Sequence, residues 1–506
     1  MMAFVAIGFI GCNQENKKQP NIIIFYVDDL GYGDVGCNGA QGVKTPNIDR
    51  LAASGVQFTD AHCSASTCTP SRFSLLTGLH AFRRNAAILD GDEGLIIKPG
   101  SPTLPAMLQK AGYKTGIVGK WHLGLGEQGK PVNWNDVVKP GPLEVGFDYS
   151  FIIPATGDRV PCVFLEGHRV VNLDPNDPMA IDYDSPIGTL PTGTDHPELL
   201  KMPADKQHSN TIINGVSRIG YMSGGEKAQW VDERFPLVLN AKAETFIENN
   251  KEHPFFLFYS FHDIHVPRVP NQDFVGKSSM GPRGDAIAQM DWCVGKVMEM
   301  LKKRGLSDNT LVIFSSDNGP VLDDGYSDMA VEKLGEHKPW GPFRGGKYSL
   351  YEAGTRMPTI VNWPGKVIPG KNNALMSQID LYASLAELVG YPISKNEAMD
   401  SRNYLDAWLG KSNIGREELI IEGFGLGIRK GDWKYIAPNN YDPSYDWIAE
   451  DKGIESGRQT KDQLFNLSDD IGERNNIAPE KQGLCLQLRQ RLDSLSTNMA
   501  DYKRTN

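Results

Sequence analysis

Four stretches of the chain are apolar at nearly every position, and most end in polar or charged residues. Residues 21–28 read NIIIFYVD, 115–120 TGIVGK, 254–262 PFFLFYSFH and 310–316 TLVIFSS. Such runs, without polar alternation, predict strands buried on both faces, as in a parallel sheet. Between them the period becomes helical. Thr45-Pro46 opens a helix that Gly55 closes, with Ile48, Leu51 and Ala52 on one face. A short helix over 71–77 is closed by Gly78, and a longer one over 285–304 carries Ile287, Val294, Val297, Met298 and Leu301 on one side. Strands alternating with helices predict an α/β fold, a large mostly parallel sheet covered on both faces.

Near residue 391 the pattern changes. A helix over 379–389 ends at Gly390, and ELIIEG (418–423) and GIRKGDWKYI (427–436) read as short antiparallel strands. Leu484, Leu488, Leu492 and Leu495 then recur at helical spacing. The expected organisation is a leader over 1–19, a catalytic α/β domain over 20–391 and a smaller α+β subdomain over 392–506. Residues 160–235 are rich in Pro, Gly and Asp, and predict long loops over the active face.

Composition narrows the function. The net charge of −10 over 506 residues argues against binding a nucleic-acid backbone. The apolar run over 1–10 before Gly11-Cys12 reads as an export leader with a lipoprotein-like junction, at which Cys12 would be lipidated. That predicts a periplasmic or cell-surface protein touching the membrane only through a lipid. No other run approaches the ~18 apolar residues of a membrane span. Seven cysteines in this length imply no disulfide framework, so a special role is sought for one or two of them.

In open α/β sheets, ligands sit beyond the carboxyl ends of the strands. Asp28-Asp29 and Asp317-Asn318 fall there, and three carboxylates with an amide suit a hard cation, Ca²⁺ or Mg²⁺, better than zinc. Lys120 and His122 in GKWHLG, His262 and His265 in FHDIHVP, and Arg344 and Lys347 in FRGGKYSLYEAGTRMP also follow strands or glycine-rich turns. Metal-type ligands, lysines and histidines at one sheet edge suit an oxyanion ester: the cations hold its oxygens and the histidines move protons.

Cys68-Thr69-Pro70-Ser71-Arg72, followed by SLLTG (74–78), resembles the signature of the type I sulfatases of the alkaline-phosphatase superfamily. The resemblance extends through PNIIIFYVDDLGYGDVG (20–36), TPNIDRLAASGVQFTDAHC (45–63), GYKTGIVGKWHLG (112–124), TLVIFSSDNGP (310–320), GGKYSLYEAGTRMP (345–358) and DQLFNLSDDIGERNN (462–476). It implies the sulfatase fold, with a small C-terminal antiparallel sheet, and a hydrolase of sulfated carbohydrates. It implies that a maturating enzyme oxidises Cys68 to formylglycine (3-oxoalanine), whose hydrate attacks sulfur. Collapse of the remaining hydroxyl then expels sulfate. It implies Ca²⁺ held by Asp28, Asp29, Asp317, Asn318 and residue 68, with Arg72 stabilising the hydrate. Lys120 and Lys347 would hold sulfate oxygens, His122 would help remove the second proton, and His265 would protonate the leaving alcohol. Thr156 falls where many members place a serine near His122. Arg159, His168, Arg169 and Arg344 are candidate sugar contacts, and His262 is a candidate support. The expected substrate is a sulfated galactose or N-acetylgalactosamine, attacked from the chain end. The alternatives are a phosphonate or phosphodiester hydrolase of the same superfamily and an inactive glycan-binding relative.

Overall fold

The computed structural model describes residues 19–439 and 454–496. Cys12 and most of the leader lie outside the described residues. Ten strands form the main sheet: β1 (Asn21–Val27), β2 (Val56–Phe58), β3 (Lys114–Lys120), β4 (Tyr149–Ile153), β5 (Leu165–Glu166), β6 (Arg169–Val170), β7 (Phe255–Ser260), β8 (Thr310–Ser316), β9 (Thr359–Asn362) and β10 (Gly370–Asn372). Their spatial order is β10-β2-β9-β8-β1-β7-β3-β4-β5-β6. The five central strands, β8 to β4, run parallel, and antiparallel pairs flank them on both sides. Helices α1 (Pro46–Ala53), α2 (Cys68–Thr77), α3 (Leu104–Lys110), α4 (Phe235–Asn250), α5 (Gly281–Lys303) and α6 (Leu381–Val389) pack around it. Among the described residues, no helix is long and apolar enough to cross a membrane.

Both α2 and α5 begin earlier than the sequence pattern predicts, at Cys68 rather than Ser71 and at Gly281 rather than Asp285. Pro70 and Pro282 fall in the first helical turns, where the missing N–H costs nothing, so neither proline delays the helix. The expected helix over 379–389 opens instead with a 3₁₀ turn at Gln378–Asp380.

Residues 160–235 are not simply loops. They supply β5 and β6 to the sheet edge, pair Ala180–Asp182 with Tyr221–Ser223, and pair Ile212–Ile213 with Val216–Ser217. Strands of two or three residues are too short to show a period.

A four-stranded antiparallel sheet follows: β11 (Glu418–Glu422), β12 (Leu426–Lys430), β13 (Trp433–Ile436) and β14 (Gln463–Asn466). The single strand expected over 427–436 is two, because Gly431, at φ 57°, turns the chain back between them. Alternate residues serve opposite faces. Leu419 and Ile421 pack with Leu350 and Tyr351 of the main body, and Ile420 and Ile428 pack with Leu488 and Leu492 of α7 (Gln482–Ser496).

Candidate active site

Strand register builds the site. Val27 pairs with Ser316 at the carboxyl ends of β1 and β8, so Asp28 and Asp317 emerge side by side. Gly119 pairs with Ser260, which brings Lys120 to the same edge. Lys120 Nζ donates to Asp28 Oδ2 at 2.5 Å. Asn318 Nδ2 donates to Asp29 Oδ1 at 2.7 Å, and the Asp29 N–H to Asp317 Oδ1 at 3.3 Å. All four metal-type ligands predicted from sequence therefore converge, and all are buried.

Three carboxylates this close repel one another. Burial and the Asp317 charge push the Asp28 carboxyl well above its ordinary range. Asp28 Oδ1 and Asn318 Oδ1 are buried oxygens with no hydrogen-bond partner among the described residues. Asp28, Asp29 and His265 place ligand-type atoms within 4.8 Å of one another. Orphaned hard oxygens around shared negative charge fit Ca²⁺. A second cluster, Asp60, His62 and Glu352, is equally tight. There, however, Arg429 forks onto both Asp60 oxygens at 2.6 and 2.7 Å, and Lys434 and Arg356 neutralise Glu352 at 3.1 and 3.0 Å. That cluster already holds its cations.

Helix α2 delivers Cys68 to the site from its first turn, 2% exposed. Burial raises the Cys68 thiol pKa although Lys120 and Lys347 pull it down. A thiol held protonated is a poor nucleophile. Arg72, one turn along α2, donates to Asp317 Oδ2 at 2.9 Å and to Ser260 Oγ at 2.5 Å. His122 Nδ1 lies 3.3 Å from Cys68 Sγ, and Nε2 lies 2.9 Å from the Leu89 carbonyl. The carbonyl can only accept, so Nε2 carries the proton and Nδ1 faces Cys68 as a base. His265 Nδ1 likewise donates to the Val266 carbonyl at 2.6 Å, leaving Nε2 3.8 Å from Asp29 Oδ2. Burial, with Lys347 and Lys120 nearby, holds His265 well below the ordinary imidazole range, and burial, Lys120 and Arg159 do the same to His122. Lys347 Nζ sits between Asp29 Oδ2 at 3.0 Å and Asp324 Oδ2 at 2.8 Å. Asp29, His122 and Tyr348 take positive φ, 59°, 52° and 70°. Strain of this kind persists only where surrounding structure over-determines it.

Cys68, His122, His265 and Lys347 line one pocket with Asp158, Arg159, Gln207, His208, Asp324 and Tyr348. Asp158, Gln207, His208 and Asp324 are lining residues that sequence reasoning missed. Arg159 donates to Asp158 Oδ2 at 2.7 Å and to Thr156 Oγ1 at 3.1 Å, so Thr156 steadies Arg159 and does not line the pocket. His208 Nδ1 bonds Asp205 at 2.7 Å, and its Nε2 lies 3.5 Å from Asp158. Burial acts to lower the His208 pKa, but bonds to Asp158 and Asp205 overcome it and raise it to about 9. Three expected sugar contacts stand elsewhere. His168 pairs with Glu144 at 2.9 Å and Arg169 with Asp136 at 3.4 Å, both by the far sheet edge. Arg344 is held by Glu455 at 2.9 Å over the Tyr351 ring. His262 packs edge-on against Phe235, and burial lowers its pKa to about 4.

A profile of the sulfatase family matches residues 20–391. The chain is 49% identical over 497 residues to the N-acetylgalactosamine-6-O-sulfatase of Bacteroides thetaiotaomicron, covering 96% of each chain. It is 31% identical to human arylsulfatase A, covering 94% of this chain and 87% of that one. A solved structure from work on the metabolism of multiple glycosaminoglycans by Bacteroides thetaiotaomicron superposes with a TM-score of 0.92 at 49% identity, covering 95% of this chain and 100% of that one. The PsFucS1 sulfatase of Pseudoalteromonas sp. superposes with a TM-score of 0.69 at 25% identity, covering 97% and 92%. Kinship of this extent, over the chain that assembles Cys68 with two lysines, three buried carboxylates and a buried amide, settles the matter: the protein belongs to the sulfatase family and is a sulfuric ester hydrolase.

Proposed function

We propose that this chain removes the 6-O-sulfate from a terminal N-acetylgalactosamine or closely related galactose unit of a sulfated glycan. Support for the sugar comes from the 49% identity to an N-acetylgalactosamine-6-O-sulfatase. The observation that carries the chemistry is the convergence of Cys68, His122, His265 and Lys347 with Arg159, Asp158 and His208 in one pocket.

Asp28, Asp29, Asp317 and Asn318 would hold Ca²⁺, with residue 68 as a further ligand; the ion supplies positive charge to the sulfate oxygens and eases ionisation of a neighbouring hydroxyl. Formylglycine, made from Cys68 by a maturating enzyme, supplies a hydrated aldehyde in place of the protonated thiol. The remaining work falls to the chain. Lys120 and Lys347 bind and orient the anion. Arg72, fixed by Asp317 and Ser260, holds the group at position 68 in line. His122 Nδ1 accepts a proton from that group. His265 Nε2 gives a proton to the departing sugar oxygen, once the bound anion has countered the burial and the two lysines that hold it neutral. Arg159, Asp158 and His208 meet sugar hydroxyls. The leader places the enzyme in the periplasm or at the cell surface, with Cys12 lipidated, and the working division is a catalytic domain over 20–391 and a subdomain over 392–506.

The test is sulfate release from a panel of monosulfated N-acetylgalactosamine and galactose isomers, with peptide mass spectrometry of the active protein. Release is expected from the 6-O-sulfates, with residue 68 lacking sulfur, and Cys68→Ala should be inactive. Full activity with an unmodified Cys68, or no release from converted protein, sinks the reading.

A further inference from the structure

Two other cationic side chains near the anion end each hold one carboxylate within hydrogen-bond distance: Lys120 holds Asp28 at 2.5 Å, and Arg159 holds Asp158 at 2.7 Å with Asp90 farther off at 3.9 Å. Lys347 is clasped by two, Asp29 at 3.0 Å and Asp324 at 2.8 Å. A bound divalent cation would offset two of the three charges of Asp28, Asp29 and Asp317. Asp324 stands outside that set and pairs with Lys347. It is pinned rather than mobile, since the Tyr348 hydroxyl donates to its Oδ1 at 3.0 Å. It also lines the same pocket as Cys68 and His265.

We propose that Asp324 is a specificity-determining residue, a fixed negative charge beside the anion that favours monoanionic sulfate esters over dianionic phosphate esters. The inference rests on the pocket reading given above. A sulfate ester carries one negative charge at any ordinary pH. A phosphate monoester, with a second pKa of about 6, carries nearly two at pH 8. With Asp29 offset by the cation, the Lys347 charge is set against Asp324, which leaves little for the second. The groups facing Asp324 are Lys347, Tyr348 and, at longer range, His265. Their own titration affects both esters, so the ratio of the two isolates the ligand's extra charge.

The experiment is calorimetric binding of phenyl sulfate and phenyl phosphate to the calcium-loaded protein with Cys68 unconverted, at pH 8 and at pH 5. The parent should prefer the sulfate at pH 8, and the preference should narrow at pH 5, where the phosphate ester sheds its second charge. In Asp324→Asn the pH 8 preference should fall about tenfold, the scale of one unit charge several Å away in a partly polar interior, while Asp324→Glu retains it. An Asn variant with the parental ratio at pH 8, calcium content and melting temperature unchanged, overturns the inference alone. Should that variant not fold, the parent decides: a ratio no narrower at pH 5 overturns it too. A parent that binds neither ester overturns the pocket reading, and this inference with it.

Discussion

His265 shows how one hydrogen bond assigns a role. Its Nδ1–H is spent on the Val266 carbonyl, so in the proposed reaction only Nε2 is left to serve the leaving oxygen. Sugar alcohols leave poorly without a proton, whereas aryl oxides leave readily. His265→Ala should therefore lower kcat on a sugar sulfate by about 10²–10⁴-fold and on an aryl sulfate far less, compared by steady-state kinetics. Equal losses on both would remove the acid role. The residues that the sequence announces share one trait: Lys120 ends an apolar strand, and Asp28, His265 and Asp317 follow closely on one, where a sheet edge is expected. Asp158, His208 and Asp324 lie in irregular segments, and a single polar residue there has no period to betray it. Arg344 illustrates the converse, a promising arginine beside Lys347 whose charge is already taken by Glu455.

At the level of elements, the long buried strands β1, β7 and β8 are readable because seven or so consecutive apolar residues have few other uses. β2, β9 and β10 are three or four residues long and pair only through partners far away in the chain, so nothing local marks them. The close approach of β3 to β7 is equally hidden. Gly119 stands at φ 109°, and a Cβ there would lie 1.7 Å from the Ser260 carbonyl oxygen. Gly119→Ala must part the two strands just where Ser260 Oγ and the Lys120 carbonyl receive Arg72. The expected cost is about 3 kcal/mol of stability and most of the activity, measured by thermal melts and turnover. A variant that melts and turns over like the parent would show that the strands yield more easily than this packing allows.

Across the whole molecule, the C-terminal sheet is bound to the segment that leads into Cys68. The Ser66 N–H donates to the Glu422 carbonyl, and Arg429 of β12 grips Asp60 with both Nη atoms. Breaking such a buried pair from one side strands a charge, which is costlier than the pair itself is stabilising. The Glu422 side chain lies buried between the two bodies, and its Oε2 has no hydrogen-bond partner among the described residues. Burial raises its pKa from 4.5 to about 8. Below about pH 4.5 both folded and unfolded chains hold this proton. As pH rises toward 8 only the unfolded chain gives it up, so Glu422 costs stability progressively over that range. Glu422→Gln should match the parent near pH 4.5 and melt increasingly above it toward pH 8; a gap independent of pH would place the carboxyl's proton elsewhere. The tie between residues 60–66 and 422–429 has a temporal side as well. Synthesis runs from the N-terminus, so more than 300 residues leave the ribosome after Cys68 before the strands that brace its loop exist. The growing chain can shape most of its central sheet, but the segment bearing Cys68 acquires these supports only long after it has itself emerged.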